Sequence, residues 1–326
     1  EDLEKVRERI ESRGLRAQIN LGEERAVIGV MGSIPPDFKD EMELMQGVSE
    51  VVMVSKPYKL ASREFHPDNT IIKVGDAVIG GPDPVIMAGP CSVESEEQLM
   101  KTAHAVKAAG ASMLRGGAFK PRTSPYEFQG LGEEGLKLLA KAREETGLPI
   151  VTELLSQNQA ELVAEYSDML QIGTRNAQNF QLIIAAAKTG KPVLLKRGMS
   201  MRIMEWLLAG EYVLANRNPN LLFCERGIRT FEDYTRNPLD LSAVAVVKAE
   251  SHCPIVVDPS QGCGKASLVH SMCRGAVAMG ADALLVEVHP NPTEAISDAA
   301  QQIDLEGFAA LMDELAPIAE SVGREI

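Results

Sequence analysis

The chain has 326 residues, 45% hydrophobic and 24% charged, with a net charge of −13, a length that suits a barrel of about 250 residues plus a small extra module. No run approaches the roughly 18 apolar residues of a membrane span and no basic, apolar leader stands out, so a cytoplasmic address without a membrane partner is expected. The acidic balance argues against nucleic acid, whose phosphate backbone is held by surplus Lys and Arg, and small anionic substrates then need cations gathered locally.

Leu3, Val6 and Ile10 recur at helical spacing among Glu, Lys and Arg, which predicts a solvated helix. Leu15–Ile19 and Ala26–Met31 read as strands, Phe38–Leu44 as a short helix and Val48–Val54 as another strand. The order αββαβ is that of a ferredoxin-like βαββαβ unit without its first strand, over residues 1–55. With the sequence starting at Glu1, that strand is expected to have been removed or left out. Residues 56–84, with Pro57, Pro67, Gly75, Gly80, Gly81, Pro82 and Pro84, form a connector dense in turn-formers.

From 85 to 326, short aliphatic runs alternate with longer amphipathic stretches. The runs are Val85–Ala88, Ser112–Arg115, Pro149–Glu153, Asp168–Ile172, Pro192–Lys196, Leu221–Cys224, Pro254–Asp258 and Ala283–Val288. Repeated βα units with right-handed crossovers imply a closed (β/α)₈ TIM barrel, an α/β fold. The cysteines Cys91, Cys224, Cys253, Cys263 and Cys273 are odd in number and form no CxxC pair, so they are expected to be reduced thiols.

Active sites of such barrels stand at the C-terminal ends of the strands. There the sequence offers Cys91-Ser92, Arg115, Lys120-Pro121-Arg122-Thr123-Ser124, Glu153, Arg175, Lys196, Arg226, Asp258-Pro259-Ser260-Gln261, Glu287 and Asp298. Taken singly, each cation is a solvated surface charge. Arg115, Lys120, Arg122, Arg175, Lys196 and Arg226 on one rim instead suit bidentate recognition of phosphate and carboxylate. Cys91, Glu287 and Asp298 come from the first and last strands, which are neighbours in a closed barrel. They could hold a divalent metal, although a buried Cys is also commonly a small hydrophobe.

These segments resemble one family. The chain is similar to 3-deoxy-D-arabino-heptulosonate 7-phosphate (DAHP) synthases with an N-terminal ferredoxin-like domain, through KPYKLASREFHP, AGPCSVES, LRGGAFKPRTSPYEFQGLG, IGTRNAQNF, LLKRGMS, CERGIRTFEDYTRN, VVDPSQGCGK and LVEVHPNP. The resemblance implies phosphoenolpyruvate bound by Arg115, Lys120, Arg175, Lys196 and Arg226, and erythrose 4-phosphate reached by Arg122, Thr123 and Ser124. Lys120, Asp258 and Cys91 are the implied catalytic residues, and Cys91, Glu287, Asp298 and the residue after Asp-Pro-Ser the implied metal ligands, for Mn, Mg, Fe, Co or Zn. The implied reaction is attack of the phosphoenolpyruvate methylene on a metal-polarised aldehyde, then water addition and loss of phosphate by C–O cleavage. It is the first step of the shikimate pathway, toward aromatic amino acids. The resemblance also implies feedback by an aromatic amino acid through the N-terminal domain, and a homotetramer or homodimer.

One position departs from that pattern. Where the family carries His after Asp-Pro-Ser, this chain has Gln261, a weaker and harder donor than imidazole. An engineered substitution, a paralogue with altered metal or aldose, and a weakened or non-catalytic phosphoenolpyruvate-binding protein are all consistent with it. Cys263, Ala266, Ser267, His270, Thr174, Met201 and Arg202 also differ from the family's usual residues, which points to specialisation. His270 or His289 could restore metal coordination, but each is rather expected on the rim or in support of ligands.

Overall fold

A computed structural model describes residues 2–22, 25–53 and 56–326. The chain divides into two compact units, Glu1–Asp68 and Asn69–Ile326.

The first unit comprises α1 (Asp2–Ser12), β1 (Arg16–Leu21), β2 (Ala26–Met31) and α2 (Phe38–Glu43). β1 and β2 pair antiparallel from Arg16↔Met31 to Leu21↔Ala26. Val6 and Ile10 of α1 lie on one helical face and meet Leu15, Phe38 and Met42 in a small core. The expected strand Val48–Val54 does not form over residues 48–53, and Val54 falls outside the described residues. Val48 and Val51 pack against the core, whereas Val52 and Met53 are exposed. In a ferredoxin-like unit the last strand pairs with the first, and among the described residues no such strand is present for it to join.

In the second unit, β5 (Val85–Gly89), β6 (Met113–Arg115), β7 (Ile150–Glu153), β8 (Met169–Ile172), β9 (Val193–Lys196), β10 (Leu221–Glu225), β11 (Ile255–Val257) and β12 (Ala283–Glu287) close a parallel barrel, with β12 paired to β5. Each expected run overlaps its strand, and no end differs by more than one residue. The strands are buried on both faces, as parallel strands wrapped by helices must be. Alternate side chains, among them Met87, Met113, Val151, Met169, Leu194 and Leu285, fill the interior.

The connector carries an element the sequence reading missed. A hairpin of β3 (Ile72–Val74) and β4 (Ala77–Ile79) puts Ile72, Val74, Ala77 and Ile79 into the barrel core. Gly75 and Gly80 lie against Pro149 and Pro254, at the starts of β7 and β11. The hairpin therefore plugs the N-terminal end of the barrel and leaves chemistry to the other end. Its strands are too short for a periodicity of two to register, and the turn-formers around them read as loop. Among the described residues, no helix is long and apolar enough to cross a membrane.

Gly89 ends β5 with φ at 154°, and a Cβ there would stand 2.1 Å from the Arg115 carbonyl oxygen. Gly89→Ala should therefore force β5 and β6 apart directly beneath the rim, at a cost of about 1 kcal/mol or more. Chemical denaturation would show it as a lower midpoint at unchanged slope; an unmoved midpoint would contradict the reading.

Candidate active site

A cavity of about 350 Å³ opens at the C-terminal ends of the barrel strands. Arg115 and Lys120 reach it from the end of β6 and its loop, together with Arg122; Arg175 follows β8, Lys196 ends β9 and Arg226 follows β10. All six expected cations line one cavity, contributed by four strands. Glu153, Gln171, Arg229 and Arg236 join them. Thr123 lines the cavity too, whereas Ser124 is spent on its own loop, its hydroxyl accepting from the Tyr126 N–H at 3.3 Å.

Four of the cations are almost fully buried: Arg115 and Arg226 at 5% exposure, Lys196 at 4% and Lys120 at 8%. Buried charge must be compensated, and each is treated differently. Lys196 donates to Asp258, itself wholly buried, at 2.5 Å. Arg115 donates to Glu287 at 3.2 Å and to the Pro90 carbonyl at 2.6 Å. Lys120 donates to the Cys91 carbonyl at 3.0 Å and to Cys91 Sγ at 3.1 Å. Burial works against the charge of Arg115 and Lys120, but neighbouring acids, Glu287 and Glu153 among them, more than offset it and raise both pKa values.

Among the described residues Arg226 has no carboxylate bonded to it. It donates to the neutral Gln261 Oε1 at 3.2 Å. Burial, opposed by Asp258 and reinforced by Arg236, pushes its pKa below the ordinary guanidinium value. The Nε donors of Arg226 and Arg115 are buried and have no partner among the described residues. Orphaned guanidinium donors beside an open cavity are the signature of an anion-binding site. Arg122, half in solvent, is tied by Glu127 at 2.7 Å and Ser297 Oγ at 2.9 Å, and exposed Arg175 donates to the Pro121 carbonyl at 3.2 Å.

Beneath the cations, Cys91, Glu287 and Asp298 bring one ligand atom each to within 4.8 Å of one another. Burial first, and then the Glu287 charge, push the Cys91 thiol up to about 12. Asp298 goes the other way: burial is outweighed by Arg236 and by hydrogen bonds, which hold its carboxyl at about 2. It also takes a left-handed backbone, φ 49°, which Asp tolerates better than most residues and which turns its side chain inward. Gln261 stands at the same spot with its amide nitrogen toward the acids, donating to Glu287 at 3.0 Å and Asp298 at 2.9 Å.

Arg236 went unnoticed in the sequence because it lies well past the end of β10, in the loop toward α8 (Ser242–Glu250). It pairs with Asp298 at 3.3 Å and donates to Gln301 at 2.9 Å and Gln261 at 3.3 Å. The available signal was its place within CERGIRTFEDYTRN. Neither histidine approaches the acids: His270 bonds Glu314 at 3.0 Å, and His289 bonds Glu94 at 3.2 Å.

The profile of the DAHP synthetase I family matches residues 63–321, and that of the DAHP synthase ferredoxin-like domain matches residues 1–56. The chain belongs to the DAHP synthetase I family. It is 50% identical over 326 residues to a phospho-2-dehydro-3-deoxyheptonate aldolase of Thermotoga maritima, covering 100% of this chain and 96% of that one. A 2-dehydro-3-deoxyphosphooctonate aldolase of Syntrophotalea carbinolica is 34% identical over 266 residues, covering 76% and 95%. The crystal structure of the Thermotoga maritima DAHP synthase matches with a TM-score of 0.82 at 49% identity, covering 99% of this chain and 95% of that one. A truncated form of that synthase matches with a TM-score of 0.78, covering 82% and 98%.

The family generally uses a divalent metal. Three of the donors here fit one, since a thiolate and two carboxylates at this spacing suit a cation of the Zn or Mn class. The fourth does not: the Gln261 nitrogen facing them carries protons and no free lone pair. As built, the donor set is incomplete.

Proposed function

We propose that this chain is a transferase that condenses phosphoenolpyruvate with erythrose 4-phosphate and water, giving DAHP and inorganic phosphate. The observation that carries the reading is the pair of orphaned guanidinium donors on Arg115 and Arg226, buried at the mouth of a cation-lined cavity. A small molecule bearing both carboxylate and phosphate satisfies them.

In this reading Arg115, Lys120, Arg175, Lys196 and Arg226 hold phosphoenolpyruvate. Arg122 and Thr123, with Ser124 bracing their loop, receive the aldose phosphate. Two anions that repel each other in water are thereby held in contact, which turns a bimolecular encounter into an oriented one. The phosphoenolpyruvate methylene carbon bonds to the aldehyde carbon, whose oxygen takes a proton and becomes a hydroxyl. Water adds to C2 of the former phosphoenolpyruvate, the bond from C2 to the phosphate oxygen breaks, and a ketone and phosphate result. Lys120 stabilises charge as it shifts, Asp258 keeps Lys196 aimed into the cavity, and Cys91 supports Lys120 from beneath.

The proposed division is a regulatory-type domain over 1–55, a connector over 56–84 and the catalytic barrel over 85–326. An aromatic amino acid is the proposed effector, cytoplasm the proposed location and a homotetramer or homodimer the proposed assembly. Divalent metal binding should be weaker than at a site completed by imidazole.

Phosphate release from phosphoenolpyruvate by the full chain should require erythrose 4-phosphate. Release with arabinose 5-phosphate alone would move the aldose to five carbons. Saturable phosphoenolpyruvate binding without release for either aldose would make the chain a binding protein instead.

A further inference from the structure

Gln261 heads a tightly held group. It sits on α9 (Pro259–Cys263), whose N-cap Asp258 accepts the Gln261 backbone N–H at 2.9 Å. Its carboxamide has two donors and two acceptor lone pairs, and all four are used. The nitrogen donates to Glu287 at 3.0 Å and Asp298 at 2.9 Å; the oxygen accepts from Arg226 at 3.2 Å and Arg236 at 3.3 Å. The reverse orientation would set an oxygen against two carboxylates and an NH₂ against two guanidinium groups. Charge on both sides therefore fixes which way the amide faces.

The acids are compensated as well. Glu287 pairs with Arg115 at 3.2 Å and Asp298 with Arg236 at 3.3 Å. A second amide, Gln301, donates to Glu287 at 2.7 Å. An incoming divalent cation would have to turn Gln261 out of four hydrogen bonds, and would settle among three positive groups, Arg115, Lys120 and Arg236. The first change costs free energy that an imidazole-bearing site would not spend, because a neutral imidazole already presents a lone pair.

We infer that the Gln261 carboxamide stands in for the divalent cation, cross-linking Glu287 and Asp298 and tying them to Arg226, so that this chain carries out its reaction without a metal. The inference rests on the reaction proposed above and adds to it that the aldehyde oxygen is polarised by hydrogen-bond donors. Lys120 is a cationic donor already at that centre. Gln261 is a positioning residue: it holds the acids and Arg226 in register with each other.

The deciding experiment uses the full chain and Gln261→His side by side, with elemental analysis of the purified proteins, calorimetric titration with Mn²⁺, and phosphate release with and without a chelator. The original chain should hold far less than one divalent ion per chain, give no saturable Mn²⁺ heat, and lose no rate to the chelator. Gln261→His should bind Mn²⁺ at least about 10- to 100-fold more tightly. A stoichiometric metal in the original chain, or a rate removed by chelator and restored by Mn²⁺, overturns the inference. If Gln261→His does not fold, the elemental analysis and Mn²⁺ titration of the original chain decide alone. If no aldose supports phosphate release, the proposed reaction fails while the metal measurements still decide the inference.

Discussion

Lys120→Met should lower kcat/KM for phosphoenolpyruvate by about 10²- to 10³-fold, the usual cost of losing one charge-stabilising donor, while the fold survives. Among the described residues the Lys120 ammonium bonds to the Cys91 carbonyl and Sγ and to no carboxylate. With burial and the Glu287 charge holding the Cys91 thiol near 12, the group left behind at neutral pH is an uncharged S–H, and no bare anion is stranded in the barrel. Steady-state kinetics beside a thermal melt separate the two effects. A variant with near-normal kcat/KM would remove Lys120 from the site, and one that unfolds would show that the lysine charge is needed to offset the acids around it.

Lys196→Met should behave differently, losing stability as well as activity. Asp258 is wholly buried with Lys196 at 2.5 Å, so removing the lysine leaves an uncompensated carboxylate in the barrel interior. Breaking a buried pair in this way costs about 3–5 kcal/mol. Asp258→Asn added to Lys196→Met should recover much of that loss, because an amide oxygen can still accept the Gln261 N–H that caps α9. Activity should stay low in the double variant, since the cation facing phosphoenolpyruvate is still missing. Urea denaturation of the three proteins reads the stability, and a single variant as stable as the original would contradict the dependence of Asp258 on Lys196.

The contrast between those two lysines shows what the sequence could and could not reveal. Strand ends were legible because buried parallel strands are continuous aliphatic runs, and the residue after each run is where a barrel places its chemistry. That alone brought Arg115, Lys120, Lys196, Arg226 and Glu287 to the correct end of the fold. Which cation is paired with an acid and which is not depends on neighbours distant in the chain: Lys196 with Asp258, Arg115 with Glu287, Arg226 with the Gln261 amide. No local pattern encodes those partnerships. Arg236 was missed for a related reason, as a long loop has no period to fix where its side chains return.

Two errors of structure have a common physical origin. The strand expected at Val48–Val54 has the right composition, yet a strand exists only with a partner, and the described residues offer none. The β3–β4 hairpin has a partner and a core to enter, but its segments were too short and too closely flanked by glycine and proline to stand out. Gln261 lies between these cases. Its identity as a departure was visible at once, whereas the direction of its amide follows from four charged neighbours that only the folded chain assembles.

Positively charged side chains from separate strands line one cavity, and the proposed function needs that cavity to bind anions. Calorimetric titration of the full chain with phosphoenolpyruvate measures that directly, run at two salt concentrations and repeated with Arg226→Ala. One saturable site per chain, weakened by salt and about 100-fold weaker in the variant, is the predicted result, as expected for losing a buried charge-assisted donor. Absence of saturable heat, or an Arg226→Ala protein that binds as tightly as the original, would contradict it.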